Sequence, residues 1–176
     1  MISLLSWRTK TIQDLEDLYA DVDQTNCLVA LPVPLPKQET IAYYEAIQME
    51  HTQDKVLKTF AIIEEDAIIG KIELSIEEGI GELDFVLRKE HCNQKKGSEA
   101  LQKFLELIQK ENWCNEIVAY VHEDNLPMQK VLLKQGFQKT QPFKADVMVV
   151  RDGVYQLKEV KGSEYQLSLS EESSLA

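Results

Sequence analysis

Between Phe85 and Ile108 the sequence FVLRKEHCNQKKGSEALQKFLELI joins the end of an apolar strand to a basic polar turn and then to an amphipathic helix. The N–H groups at a helix N-terminus point at whatever precedes the helix, and the helix dipole adds positive potential there. A strand that feeds such a turn can therefore hold an anionic, phosphate-bearing group. The turn supplies Asn93, Gln94, Lys95, Lys96 and Gly97. Glycine permits positive φ and close backbone approach, asparagine tolerates positive φ best among the other residues, and lysine brings a cation to phosphate oxygens. The competing structural reading is that Lys95 and Lys96 are solvated residues of a first helical turn.

Other chemistries lack their residue patterns. Cys27, Cys92 and Cys114 are odd in number and scattered, with no CxxC pair, so neither a disulfide framework nor a zinc site is expected. His51, His91 and His122 have no ligand spacing, and no metal is expected. A formal net charge of −11 argues against nucleic acid as a partner and suits a positively charged substrate such as an amine. With 44% apolar residues in 176, the chain can bury a core of ordinary size. No apolar run is long enough for a signal peptide or a membrane span, so a cytoplasmic, membrane-free protein is expected, as monomer or homodimer.

The elements that must position the turn follow from periodicity. Ile2 to Trp7 has strand length. Thr11 and Asp14 form a capping-box pattern ahead of a helix reaching about Ala20. Leu31–Pro36 is proline-fixed and extended, and a second helix is predicted from Gln38 to Glu50. Val56–Glu64 and Ala67–Ser75 are predicted strands around a tight turn at Glu65-Asp66, and Glu78–Gly81 a further turn before a strand from Glu82 to Leu87. Leu101, Phe104, Leu105 and Ile108 mark the next helix. Glu116–Val121 then returns as a strand suited to pair in parallel with Glu82–Leu87. Asp124-Asn125 opens a helix with proline in its first turn and Gly136 at its end. Strand character resumes at Phe137. Val147–Val150 and Val154–Leu157 flank a hairpin turn at Asp152-Gly153, and Tyr165–Leu169 is predicted as a last strand. The order is α/β: a mixed twisted sheet of six to seven strands with about four helices, in one domain over residues 1–169, followed by a polar acidic tail, 170–176.

This order, with two local motifs, resembles the GNAT family of acyl-CoA-dependent N-acetyltransferases, and most nearly its branch of ribosomal-protein N-terminal acetyltransferases. Asn125 through Gly136-Phe137 reproduces the family's Asn, amphipathic helix, Lys-x-Gly-Phe spacing. At the phosphate turn two registers exist. Gln94-Lys-Lys-Gly97 fits locally but leaves Glu99 at a small position. The preferred register keeps the usual strand and helix lengths. It puts Cys92 in place of Arg or Gln, sets Asn93 and Lys95 where glycines are common, and keeps only Gly97.

The resemblance implies acetyl-CoA as cosubstrate, held by Val86, Leu87, Cys92, Asn93, Gln94, Lys95, Lys96, Gly97, Ser98, Asn125 and Lys130. It implies acetyl transfer to a primary amine, a peptide N-terminus or a small amine, by direct attack in a ternary complex. Main-chain N–H groups at Val86 and Leu87 would polarise the thioester carbonyl. An amine must lose a proton before it attacks. Glu82 and Asp84, two apart on one strand face, are the candidate bases, with Glu123 and Asp124 behind them. Leu132 and Met128 stand where relatives carry Tyr or Ser, leaving Tyr120, Cys92 or water as the acid. Three alternatives stay open: a ping-pong route through Cys92 and His91, a non-catalytic module that binds acyl-CoA or a protein, and a structural domain that binds nothing there.

Overall fold

The computed structural model of the chain describes residues 1–20, 37–92 and 95–169. The predicted Leu31–Pro36 segment and the 170–176 tail, with Asn93 and Gln94 of the turn, lie outside them. Eight strands form one sheet: β1 (Ile2–Ser6), β2 (His51–Thr52), β3 (Lys55–Glu64), β4 (Ala67–Glu77), β5 (Ile80–Leu87), β6 (Glu116–His122), β7 (Gln138–Arg151) and β8 (Val154–Ser168). The order across it is β1-β3-β4-β5-β6-β8-β7, with the two-residue β2 sharing one edge of β3 with β1. Every neighbouring pair is antiparallel except β5 and β6. Four α-helices, α1 (Ile12–Ala20), α2 (Lys37–Met49), α3 (Lys96–Glu111) and α4 (Leu126–Lys134), and two single-turn 3-10 helices, Trp7–Thr9 and Lys89–His91, complete the described helical residues.

The capping box at Thr11 forms as its sequence requires: the Thr11 hydroxyl accepts from the Asp14 amide at 3.1 Å, and Asp14 accepts from the Thr11 amide at 2.8 Å. The apolar stripe of α3 (Leu101, Phe104, Leu105, Ile108) is buried against Leu83, Phe85 and Leu87, the odd positions of β5, and joins Met128 and Leu132 of α4 in one core. The other face carries a second core of Trp7, Leu15, Leu18, Tyr19, Ile47, Ala61, Ile63 and Val86, which seats α1 and α2. Helices therefore cover both faces of the sheet.

Three sequence expectations are corrected. The sheet has eight strands rather than six or seven, because the β2 pair is too short to leave a periodic signal. The turn before β5 is only Glu78-Gly79, both at positive φ (49° and 81°), so the strand begins at Ile80 rather than Glu82. The predicted strand Val154–Leu157 and the predicted last strand from Tyr165 are one element, β8, which pairs along β7 from Asp152-Gly153 back to Gln138–Gln166. The intervening Lys158–Ser163 breaks the apolar alternation while remaining strand.

Gly162 faces Phe143 on β7 and His122 on β6 in register. A Cβ there would lie 1.9 Å from the Val121 carbonyl oxygen and 2.7 Å from the Phe143 ring. The missing side chain is what lets Phe143 lie over the strand and meet Tyr120 edge-on, ring centroids 5.4 Å apart. Gly162→Ala is expected to lower stability by about 1–3 kcal/mol through overpacking, read as a lower urea midpoint. An unchanged midpoint would mean that β6 and β8 pack more loosely than described.

Candidate functional site

The site is built where two parallel strands part. β5 and β6 pair only through Ile80–Glu82 and Glu116–Val118. Beyond Glu82, β5 stays with β4 as far as Leu87, while β6 stays with β8 as far as His122. Between them Leu83–Leu87 present a strand edge with no ladder to β6. A β-bulge falls on β7 at this level, between Lys139 and Pro142, opposite Glu164, the partner of Tyr120. Bulges bend a strand and raise its twist, which carries β6–β8 away from β5.

One side of the opening is lined by the α3 and α4 N-termini. A crevice of about 80 Å³ is bounded by Phe85, Leu87, Cys92, Lys95, Gly97, Ser98, Asn125, Pro127, Met128 and Val131. Lys95 holds the left-handed conformation (φ 62°) and turns the chain into α3, whose first i→i−4 bond runs from the Glu99 amide to the Lys95 carbonyl. The amides of Lys96, Gly97 and Ser98 therefore lie ahead of the helical ladder. Gly97 packs so closely that a Cβ would come 3.2 Å from the Phe85 ring. Asn125 caps α4 with its Oδ1, which accepts from the Met128 amide at 3.3 Å. Its Nδ2 is buried in the crevice wall with no hydrogen-bond partner among the described residues. An orphaned buried donor costs about 1–3 kcal/mol unless something fills its need, and an acceptor placed in the crevice would do so.

The opposite face of the same strands is acidic. The two-residue turn at Glu78-Gly79 sets Glu73 opposite Asp84 and Lys71 opposite Val86. Lys71 is fully buried and donates to Asp84 at 3.0 Å, with Glu73 3.9 Å away. It also donates to the Tyr43 hydroxyl, which in turn donates to Glu73, and Thr59 donates to Glu73 at 2.6 Å. Burial works against the Lys71 charge, but Glu73, then the two nearby phenols and Asp84, more than offset it and hold the ammonium well above its ordinary range. Burial, reinforced by Glu73, pushes the Tyr43 phenol well up. Asp84, 7% exposed, keeps its Oδ1 buried and unpaired among the described residues.

Glu82 differs from Asp84. It is half-buried at the last β5–β6 pair, and its carboxyl is raised by burial first, with Asp84 and Glu73 adding to the rise and Lys55 opposing it. Tyr120, on the same face of β6, is raised by burial and then by Glu164, with a smaller contribution from Glu82.

Of the residues named from sequence, Val86 and Leu87 lie on the free edge, Glu82, Asp84 and Tyr120 share one face, and Cys92, Lys95, Gly97, Ser98 and Asn125 line the crevice. Lys96 is engaged elsewhere: it donates to Glu64 at 2.6 Å and meets His91 Nδ1 at 2.8 Å, leaving its backbone amide as its contribution to the turn. Lys130 stands exposed on α4 outside the crevice lining. His91 is tied to Lys96, Glu64 and Glu90, and the Cys92 thiol donates to the Arg88 carbonyl at 3.4 Å. Met128 and Leu132 are buried in the core and bring no hydroxyl. Glu123 and Asp124 are exposed beyond the end of β6. Sequence reading passed over Lys71, Glu73 and Glu164. The alternation of Lys71 and Glu73 in an otherwise apolar strand was the available signal. No group of His, Cys, Asp and Glu among the described residues could hold a metal ion.

Because Lys71 is the one cation among the described residues that pairs with the two buried carboxylates Glu73 and Asp84, Lys71→Met is expected to cost about 3–5 kcal/mol, the penalty of stranding a buried charge. Urea unfolding measures it, and a loss below 1 kcal/mol would show that the cluster is wetter than its burial indicates.

The profile of the acetyltransferase (GNAT) domain family matches residues 5–138. No protein of curated function matches the chain in sequence. Among solved structures, a GNAT-family acetyltransferase from Streptococcus pneumoniae is similar with a TM-score of 0.71 at 15% identity, covering 96% of this chain and 100% of that one. An acetyl transferase from Salmonella typhimurium that modifies the N-terminal serine of a 50S ribosomal subunit protein gives 0.70 at 16%, covering 96% and 95%. An N-acetyltransferase from Thermoplasma acidophilum in complex with coenzyme A gives 0.61 at 14%, covering 96% and 99%. At such identities the likeness shows the fold, and the profile match over most of the length shows more: the chain belongs to the GNAT family of N-acetyltransferases.

Proposed function

We propose that this chain transfers the acetyl group of acetyl-CoA directly to the nitrogen of a primary amine, with Glu82 as the base that takes the amine's proton. The reading rests on the fork between β5 and β6, which has an unsatisfied Asn125 amide on one side of the sheet and a carboxylate of raised pKa on the other. The residues present fit the cosubstrate. The Lys96, Gly97 and Ser98 amides and the Lys95 side chain suit its phosphates, while Asn125 and the free β5 edge suit its amide-bearing arm. When bound, acetyl-CoA supplies an acetyl group on a thioester, whose C–S bond breaks as the amide C–N bond forms.

The chain's own part is positioning and proton handling. A primary ammonium has no lone pair, and its pKa, about 10 for an alkylamine and about 8 for a peptide N-terminus, keeps most of it charged at neutral pH. Glu82 attracts it as a carboxylate, and the rise that burial gives its pKa makes that carboxylate a better proton acceptor. Asp84 fits the base role less well, since the Lys71 ammonium already holds one of its oxygens. Tyr120 keeps its proton at neutral pH and serves as a hydrogen-bond donor rather than a base. Peptide N-termini and small amines both meet these requirements.

Binding, turnover and a variant of the base test the proposal. Acetyl-CoA is expected to raise the melting temperature, and a panel of amines to release free thiol from it. A shift with acetyl-CoA but no thiol release from any amine or peptide N-terminus would refute the transfer. Glu82→Gln is expected to lower kcat/KM by about 10²–10⁴. In the native enzyme the rate should rise with pH as Glu82 loses its proton, because the carboxylate is the active form, and the variant should lose that limb. An identical pH profile in the variant would move the base elsewhere.

A further inference from the structure

Glu164 sits on β8 directly across from Tyr120, on the face that carries Glu82, and is 5% exposed. The bulge in β7 places two successive residues against it. The Thr140 hydroxyl donates to Oε1 at 2.8 Å and the Gln141 amide to Oε2 at 3.4 Å, while Gln166 donates to Oε1 at 2.6 Å. Burial opposes the charge, but these donors, with Tyr120, outweigh it and hold the carboxyl below its ordinary range. No Lys, Arg or His among the described residues forms an ion pair with it. Glu164 is thus a carboxylate kept ionised by neutral donors, in a chain that already carries a net charge of −11. Two of the side chains that cover it, Gln141 (exposed) and Gln166 (half-exposed), can turn aside.

A second observation points the same way. The buried Oδ1 of Asp84 has no donor among the described residues, and Asp84 is the next position after Glu82 on that face. Between the two flanks stands the Tyr120 ring, fixed edge-on by Phe143, and an aromatic face attracts an alkylammonium. One flank lacks a hydrogen-bond donor and the other lacks a positive charge. A single ligand with a cationic nitrogen at each end supplies both.

We infer that the acceptor is a dication, an aliphatic diamine or polyamine whose reacting nitrogen lies between Glu82 and Asp84 and whose second ammonium is held by Glu164. This rests on the amine transfer proposed above and narrows its substrate. Two strands across and two residues along an ideal sheet set the Glu82 and Glu164 backbones roughly 12 Å apart. Side chains on one face of a sheet stand roughly perpendicular to it and keep that spacing, which an extended four-carbon diamine with a hydrogen bond at each end spans.

The test compares 1,4-diaminobutane with butylamine, which differ by the second nitrogen. The native enzyme is expected to favour the diamine at least tenfold in kcat/KM, mainly through KM. Glu164→Gln, which keeps the shape, should bring that ratio close to one. A purely structural role for Glu164 would lower both rates together and leave the ratio unchanged, and that result would overturn the inference. Equal use of the two amines by the native enzyme overturns it without any variant, so a poorly folding variant does not shelter it. Turnover of peptide N-termini but of neither alkylamine also overturns it and leaves the amine transfer standing. Absence of thiol release with every acceptor refutes the transfer itself.

Discussion

The constraint on which the rest of this structure depends is the unpaired edge of β5. A strand in the middle of a sheet normally spends its N–H and C=O groups on both neighbours, and a buried group without a partner is costly. Here Leu83, Phe85 and Leu87 are buried on one face, and Asp84 and Val86 on the other, while the ladder to β6 stops at Glu82. The strand cannot move outward to be solvated without opening both cores. The fold therefore holds in place a backbone edge that an extended, amide-bearing molecule can complete, in the manner of a peptide added to a sheet. The bulge opposite Glu164 and the glycine at Gly162 belong to the same design, since they bend and close the half of the sheet that leaves β5 behind.

Three carboxylates share the face beyond that edge, and their surroundings give them different tasks. Asp84 has an ammonium on one oxygen. Glu164 has neutral donors on both. Glu82 is raised by burial, which Lys55 only partly opposes, so its ionised form is less favoured than that of Glu164, whose donors hold it down. Acid–base roles commonly emerge from such divergent environments. The order proposed here, one carboxylate to take a proton and two to attract cations, follows from what touches each side chain rather than from where each falls in the sequence.

Much of the fold could be read from the sequence because its signals are local. The capping box at Thr11, the stripe Leu101 to Ile108 and the Asn125 to Gly136 helix are each fixed by residues within one or two turns. The acidic cluster was harder to see because it depends on register. Placing the β4–β5 turn at Glu78-Gly79 rather than across Glu78–Gly81 sets Glu73 opposite Asp84, and with it Lys71 beside both. A shift of one residue in that turn would send the same side chains to the other face. Glu164 was less accessible still. Its donors arrive through a bulge 23 and 24 residues away, and nothing in the local pattern of β7 announces where the extra residue falls.

The turn into α3 departs from the glycine pattern in sequence and keeps a left-handed backbone position at Lys95. Lys95 stands where glycine is common and still takes the left-handed conformation, at a cost of about 1–2 kcal/mol for a residue with a Cβ. The strain persists because both sides are fixed: β5 ends at Leu87 against the Gly97 contact with Phe85, and α3 must begin at Lys96 to keep its stripe on the sheet. Lys96 meanwhile is committed to Glu64 and His91. Of the two lysines, Lys95 is the one that lines the crevice. A glycine there would relieve the backbone and remove that cation. Keeping lysine exchanges some intrinsic stability for a charge beside the helix N-terminus, which makes sense if the turn holds an anion and makes little sense if it is only a connection between a strand and a helix.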